Sequence, residues 1–270
     1  MRANYVLASA GRPGEESVQR GSDSSVTQTR QPIFNVPAIV VVVLAALFVV
    51  HLVRVFVLPP RAEVEFLLLF AFFPARYDAS LLGGMPMPGG LAADIWTFVT
   101  YAFIHADFMH LGFNSIWLLA FGTPVARRFG TSRFLAFFAV TAAAGAAAHL
   151  LTHAGEALPM VGASASISGA MAASMRFAFQ RGGPIWSRGT DPEVYRLPAL
   201  PLSEALRDRR IVIFLIVWFG LNFLFGIGSL SITGSEQSVA WQAHIGGFVA
   251  GLLLFGLFDP VPRQAAPAET

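Results

Sequence analysis

The sequence predicts an all-α polytopic membrane protein built as a bundle of six membrane-spanning helices. Hydrophobic residues make up 55% of the 270 residues and only 13% are charged, the profile of a chain that folds in a bilayer and not in water. A spanning helix needs roughly 20 mostly apolar residues, and such stretches recur along the chain. The six predicted spans are residues 37–58, 106–124, 133–152, 161–180, 211–230 and 239–258.

The two ends of the chain differ from this pattern. Residues 1–35 are polar, rich in Ser, Gly, Arg and Gln, and lack apolar periodicity, so they predict a disordered cytoplasmic tail. We expect a membrane domain over 36–259 and a second short tail over 260–270. The first apolar run starts near Pro37, later than in a secretory signal peptide, and is interpreted as a retained anchor. A mitochondrial transit peptide is disfavoured by acidic residues in the tail.

A long connection over 59–104 separates the first two predicted spans. It contains one short apolar run, from Phe66 to Phe73, that Pro74 ends. This run is too short to cross a bilayer, so it predicts an interfacial or re-entrant segment.

Arginine placement predicts the orientation of the bundle. The connections after the second and fourth spans are rich in Arg, whereas those after the third and fifth spans have none. The long first connection carries only Arg61 and Arg76. By the positive-inside rule, the Arg-rich side is cytoplasmic and both termini lie there.

Polar residues inside three of the spans need a reason, because burying them in hydrocarbon is costly. In the second span, His110 and Asn114 are four residues apart and share a helix face, where both can donate hydrogen bonds. His105 would lie about 140° from His110 on a continuous helix, so we expect it at the helix entrance instead. Interhelical hydrogen bonding explains the His110–Asn114 pair equally well at this stage.

The fourth span opens with small residues that include Ser164, Ser166 and Ser168. Close helix packing accounts for such residues on their own. In the sixth span, His244 and Gly247 lie on one helix stripe, so the histidine should face a neighbouring helix. With the predicted orientation, the second, fourth and sixth spans all enter from the outside, which places their polar groups at similar shallow depth.

These motifs together resemble the rhomboid family over roughly residues 36–258. The family has six spans, a long first external loop, and the motifs HxxxxHxxxN, GxSG and AHxxG in spans 2, 4 and 6. Each motif alone is weak, but three motifs on the matching spans in the matching order are specific. The matching residues are His105, His110 and Asn114, then Gly162 and Ser164, then Ala243, His244 and Gly247.

The resemblance implies an intramembrane serine endopeptidase that works through a Ser–His dyad. Ser164 would be the nucleophile, with His244 as its general base. His110 and Asn114 would stabilise the oxyanion, and His105, Gly162 and Gly247 would support the site. Its partners would be the lipid bilayer and the transmembrane helices of substrate proteins. We expect no cofactor, no metal and no nucleic acid, and a location in a bacterial plasma membrane; the oligomeric state stays open.

Four positions depart from the family pattern. Ala165 replaces the second glycine of GxSG, and Ser168 replaces an aromatic residue that often packs on the catalytic histidine. Thr97 replaces the arginine of a Trp-Arg pair in the first loop, and Ala126 replaces a common glutamate. No acid completes a triad, because Asp107 lies beside the span entrance and is expected to be solvated.

Four other interpretations of the sequence are alternatives to a protease. A non-catalytic relative would be expected to lack the serine or the histidine, and a transporter would be expected to carry ionisable groups near the bilayer midplane. A soluble serine hydrolase is incompatible with six spans. A metal site made of His105, His110 and His244 lacks a carboxylate or thiol on the same spans.

The fourth span also offers a choice between serines. Ser166 lies about 200° from Ser164 around a helix, and Ser168 lies about 40° away but roughly 6 Å deeper. Ser164 is therefore the predicted nucleophile, because it combines a shallow position with the N-terminus of the helix.

Overall fold

The computed structural model describes residues 36–78, 80–81, 87–185, 191–226 and 240–262. Within these ranges the regular structure is helical, and the only β-type pairing is an isolated bridge between Phe72 and Met160. The predicted all-α class is therefore confirmed. The predicted tail over 1–35 and most of the one over 260–270 lie outside the described residues.

The described residues form ten α-helices, α1 to α10 in chain order. Short 3-10 turns at Pro74–Tyr77, Tyr101–Phe103 and Pro192–Tyr195 and a π-helical turn at Leu118–Gly122 connect or interrupt them. The helices are α1 Ala38–Phe56, α2 Pro60–Phe70, α3 Gly90–Thr100, α4 Phe108–Trp117, α5 Thr123–Phe129, α6 Thr131–Thr152, α7 Ser164–Met175, α8 Leu202–Ala205, α9 Arg209–Gly226 and α10 Trp241–Phe258.

Each predicted span coincides with helical structure. In the described part of the chain, α1, α6 and α10 are long and apolar enough to cross a membrane on their own. The second predicted span corresponds to α4, the π-helical turn and α5, which together run to Phe129 and so extend past the predicted end at residue 124. The fifth corresponds to α9, and residues 227–230 of that prediction lie outside the described residues.

The fourth predicted span, 161–180, is wrong in its length. The helix α7 covers only Ser164–Met175, which is 12 residues or about 18 Å, well short of a bilayer core of roughly 30 Å. Every residue from Ala165 to Met175 is buried by the surrounding protein. A helix that neighbouring helices enclose needs no lipid-matching length, and hydropathy cannot distinguish that case from a full span.

Small residues allow α6, α7 and α10 to pack closely around this short helix. A Cβ added at Gly169 of α7 would lie 2.5 Å from the Thr141 side chain of α6. A Cβ at Gly246 of α10 would lie 2.5 Å from the Ala148 Cβ of α6. Such contacts leave no space for larger side chains, so the three helices form the centre of the bundle.

The described part of the long first connection contains two α-helices and two 3-10 turns. The first part of the predicted apolar run, up to Phe70, belongs to α2, which has no buried residue. Its last three residues, Ala71, Phe72 and Phe73, lie beyond the helix and are buried. Arg76 is buried, and its guanidinium donates to Asp94 at 3.1 Å, to the Pro88 carbonyl at 3.2 Å and to the Leu68 carbonyl. Arg76 thus connects the segment before it with the segment after it. It does so although Thr97 replaces the arginine that the family pattern has in this connection.

A second buried arginine lies at the opposite end of the bundle. Arg128 of α5 makes a two-point ion pair with Asp259, at 2.8 and 3.0 Å, just beyond the end of α10. It also donates to the carbonyls of Tyr195 and Leu197 at 2.7 and 2.8 Å. Both charged side chains are almost fully shielded from solvent, so this single residue joins α5, α10 and the connection before α9.

Candidate active site

Ser164 is the first residue of α7, and the backbone before it has a special conformation. Gly162 has a φ of +122°, a region that side chains rarely adopt, and its N–H donates to the Tyr101 carbonyl at 3.1 Å. The first intrahelical bond runs from the Ile167 N–H to the Ala163 carbonyl. The N–H groups at the very start of α7 therefore have no intrahelical partner and are suited to stabilising negative charge.

His110 lies directly against this turn. A Cβ added at Gly162 would sit 2.7 Å from both Cε1 and Nε2 of the His110 ring and 3.7 Å from Oγ of Ser164. The imidazole and the serine hydroxyl thus flank the same glycine. A side chain at position 162 would clash with the His110 ring, so glycine is needed there for steric reasons as well as for its backbone conformation.

His244 is brought to the same end of the bundle by the packing of α10 on α7. A Cβ at Gly247 would lie 2.1 Å from the Ala165 carbonyl oxygen, and one at Gly251 would lie 2.4 Å from that of Gly169. The two helices therefore meet along the glycine stripe that the sequence predicts. Ala165 follows Ser164 directly and Gly247 lies one turn after His244, so Ser164 and His244 both sit at the N-terminal end of this contact.

Asn222 of α9 contacts His244 and was not singled out by the sequence. Its Oδ1 lies 2.5 Å from Nδ1 of His244, and its Nδ2 donates to the Trp218 carbonyl at 2.8 Å. Because the second bond uses the amide nitrogen, Oδ1 is the acceptor and Nδ1 of His244 is the donor. The other nitrogen of His244, Nε2, then carries the free lone pair.

A signal for Asn222 was present in the sequence. It is the single hydrogen-bonding side chain, apart from the Trp218 indole, in the apolar run over 211–226. A lone polar residue in such a run indicates a specific partner, because an unpaired amide in hydrocarbon is costly.

His105 lies outside α4, at its entrance, as the sequence predicts. Its carbonyl accepts from Arg54 at 2.7 Å and lies 3.2 Å from Nδ1 of His51, both on α1. Its ring meets the His110 ring edge-on, with centroids 5.1 Å apart. Burial, and to a lesser degree the neighbouring His110, lowers the pKa of His105 to about 3, so its ring is neutral and acts as a packing surface for His110.

Asp107 and Asn114 have clear local roles in α4. Asp107 is the N-cap, and its Oδ1 accepts from the His110 N–H at 2.8 Å, so it is not an acid partner of His244. Asn114 is buried one turn after His110, and its Nδ2 donates to the His110 carbonyl at 3.1 Å. An amide nitrogen has two N–H donors, so one remains beyond this bond.

The other two serines of α7 are engaged elsewhere. The Ser166 hydroxyl donates to the Phe138 carbonyl of α6 at 2.8 Å, and the Ser168 hydroxyl donates back to the Ser164 carbonyl at 2.8 Å. Both are buried, whereas Ser164 is partly accessible. Of the three, Ser164 is therefore the one that a substrate can reach.

Ala165, where the family pattern has glycine, is accommodated by a glycine on the neighbouring helix. A Cβ at Gly145 of α6 would lie 2.5 Å from the Ala165 Cβ. The methyl group therefore fills the space that Gly145 leaves open, and the departure from the pattern does not push α6 and α7 apart.

The fold and the site define a helical integral membrane protein whose serine and histidines converge at one end of a central short helix. Residues 92–259, more than half of the chain, match the family described as Rhomboid domain. The chain belongs to the rhomboid family.

Two curated relatives illustrate how far the likeness extends. The chain is 28% identical over 160 residues to a rhomboid protease GlpG of Yersinia pestis (strain Pestoides F), which covers 59% of this chain and 47% of the relative. It is 26% identical over 194 residues to a rhomboid protease GlpG of Enterobacter sp. (strain 638), which covers 70% of this chain and 58% of the relative. The chain thus spans about half the length of the curated relatives it matches.

Proposed function

We propose that this chain is an intramembrane serine endopeptidase that cleaves the transmembrane helices of other membrane proteins. The observation that carries the proposal is the convergence of Ser164, His110 and the Asn222-bound His244 at the N-terminal end of α7. The names of the relatives point to the same activity.

The proposed reaction begins at Ser164. Nε2 of His244 takes the hydroxyl proton while Oγ bonds to the substrate carbonyl carbon. The resulting oxyanion is stabilised by the Ser164 N–H, by His110 and by the remaining N–H of Asn114. When the C–N bond breaks, His244 returns its proton to the leaving amine. A water molecule, activated by the same histidine, then hydrolyses the acyl-enzyme.

Asn222 extends the expected Ser–His dyad into a chain of three groups. By accepting from Nδ1 of His244, it would hold the tautomer in which Nε2 is the base. An amide carries no charge, so it would orient the histidine without stabilising an imidazolium as a carboxylate does. His105 and Gly162 would hold His110 in place from two sides, and Gly247 would set the depth of His244.

The proposed setting is a bacterial plasma membrane, with both termini in the cytoplasm. This orientation rests on the arginine distribution, and it would put the N-terminal end of α7 near the external surface, where water can reach it.

The direct test is cleavage of a transmembrane substrate by the purified chain in lipid vesicles. Wild type should release two fragments whose masses identify a cut within or beside the substrate helix. Ser164→Ala should release none while keeping the wild-type unfolding temperature. His244→Ala should also release none, although it lowers that temperature because Oδ1 of Asn222 loses its partner. Cleavage that survives both substitutions would refute the proposal.

A further inference from the structure

The C-terminal end of α6 carries a cluster of potential metal ligands that the proposed reaction does not use. His149 lies in the last turn of the helix, His153 follows it four residues later, and Glu156 follows in the next connection. One ligand atom from each of the three residues lies within 4.8 Å of the other two. His153 is the C-cap of α6, so the two imidazoles come from the last turn of the helix and from the residue that ends it. Imidazole nitrogens are common ligands of transition metals.

The distance between two of the potential ligand atoms is close to that found in a metal site. Nε2 of His149 lies 3.7 Å from Oε2 of Glu156, too far for a hydrogen bond. In a tetrahedral zinc site with bonds of about 2.0–2.1 Å, neighbouring ligand atoms are roughly 3.3–3.4 Å apart. The rings of His149 and His153 stack with centroids 4.4 Å apart at 20°. The two imidazoles therefore lie side by side. Nδ1 of His153 is 2.8 Å from the Thr152 hydroxyl, which leaves Nε2 of His153 as its ligand atom.

A second observation indicates that the cluster lacks a ligand. His149 is 5% exposed, and its Nδ1 has no hydrogen-bond partner among the described residues. Oε2 of Glu156 is buried and equally without such a partner in that part of the chain. Buried polar atoms are nearly always paired, so these two atoms without a partner in one cluster call for an explanation.

The cluster also lies at the start of the connection between α6 and α7, which is hydrogen-bonded to the first connection. The Glu156 carbonyl accepts from the Ala75 N–H at 2.9 Å. Four residues later, Met160 and Phe72 exchange two backbone hydrogen bonds at 2.8 and 3.2 Å. Gly162 and Ser164 follow directly, so the segment that carries the cluster is the one that leads into the candidate active site.

We propose that His149, His153 and Glu156 bind one divalent transition-metal ion, zinc above all. Two imidazoles and one carboxylate suit zinc, whereas calcium and magnesium prefer oxygen ligands alone. The ion is structural: it fixes the end of α6 to the connection that leads to Ser164, and water completes its coordination. The site is separate from His105, His110 and His244 and takes no part in the proposed proteolysis.

The proposed site can be tested by measuring metal binding to the untagged full chain in detergent. The protein is stripped with a chelator and titrated with Zn²⁺ against a chromophoric competitor, and Co²⁺ is used to read the coordination geometry. We expect one Zn²⁺ per chain and a rise in the unfolding temperature on binding. Loss of a ligand in His153→Ala or Glu156→Gln should weaken binding by at least about tenfold, since even outer-shell changes cost about 10–100-fold.

The choice of variants keeps folding apart from binding. His153 and Glu156 are only half-buried, so they are changed in preference to the buried His149. Glu193→Gln removes an exposed carboxylate far along the chain and should leave zinc affinity unchanged. Absence of saturable micromolar binding to wild type would overturn the proposal. Binding that survives His153→Ala but is lost in His110→Ala would also overturn it, because the ion would then lie in the candidate active site.

Discussion

Asn222 on α9 accepts a hydrogen bond from His244 on α10, with 2.5 Å between Oδ1 and Nδ1. Family members often have an aromatic residue that packs on the catalytic histidine, and Ser168 occupies that position here. The Ser168 hydroxyl donates a hydrogen bond to the Ser164 carbonyl. The side chain that holds His244 in this protein therefore comes from α9.

We expect Asn222→Ala to lower kcat by about 10–100-fold, which corresponds to roughly 1.4–2.7 kcal/mol of transition-state stabilisation. KM should change little, because the residue acts on the base and not on the substrate. Asn222→Asp keeps an acceptor and should restore most of kcat. Vesicle cleavage assays give both constants. Equal kcat in wild type and Asn222→Ala would remove the positioning role.

The three serines of α7 should behave differently toward an active-site probe. A fluorophosphonate should label wild type and Ser168→Ala but not Ser164→Ala, because only Ser164 is accessible and lies beside His110. Ser166→Ala should be labelled normally and lose about 1 kcal/mol of stability with its bond to Phe138. Labelling that follows Ser168 instead of Ser164 would place the nucleophile one turn deeper.

Gly162→Ala should abolish probe labelling. The new Cβ would stand 2.7 Å from the His110 ring, and alanine would also be strained at a φ of +122°. Gly112→Ala is the matched control, since a Cβ there meets nothing within 4 Å and α4 is helical at that point. The control should be labelled like wild type and be about as stable or up to 1 kcal/mol more stable. If both variants are labelled normally, the turn does not need glycine.

The ion pair at the other end of the bundle should be important for stability and not for chemistry. Asp259→Ala leaves Arg128 buried without its partner, so we expect a loss of about 3–5 kcal/mol in the free energy of unfolding. Glu193→Ala breaks an exposed pair with Arg196 and should cost about 0–1 kcal/mol. Unfolding in mixed micelles compares them, and similar losses would mean that burial of the pair has no effect.

The orientation can be tested separately from activity. Topology reporters placed in the connection between α6 and α7, and at the C-terminus, should report opposite sides of the membrane, with the C-terminus cytoplasmic. Reporters on the same side would contradict the six-span arrangement.

The sequence predicted the parts of the fold and the candidate site that leave a periodic or local signal. The helical class, the position of Ser164 near the start of the fourth predicted span and the glycine stripe through Gly247 follow from hydropathy and spacing, and the structure has them. The true length of α7 left no such signal, because enclosure by neighbours is a tertiary property. The bond between Asn222 and His244 joins residues 22 apart on different helices, and only packing reveals that contact.

The surroundings of the positions that depart from the family pattern were equally hidden. Ala165 departs from the family pattern, and its methyl group fits because residue 145 on another helix is glycine. Thr97, where the family pattern has arginine, donates its hydroxyl hydrogen to the Ala93 carbonyl at 2.7 Å. A motif considered position by position does not show these surroundings.

Helix α9, which carries the proposed positioning residue Asn222, is only loosely packed against the rest of the bundle. Of its described side chains only Ile211 and Asn222 are buried, while most of its apolar residues face outward. If α9 swings away to admit a substrate helix, Asn222 leaves with it and His244 loses its tautomeric control. Such a protease would be inactive while α9 is in the open position. It would become active only after α9 has packed back beside the bound substrate helix, which would limit the cleavage of other membrane proteins.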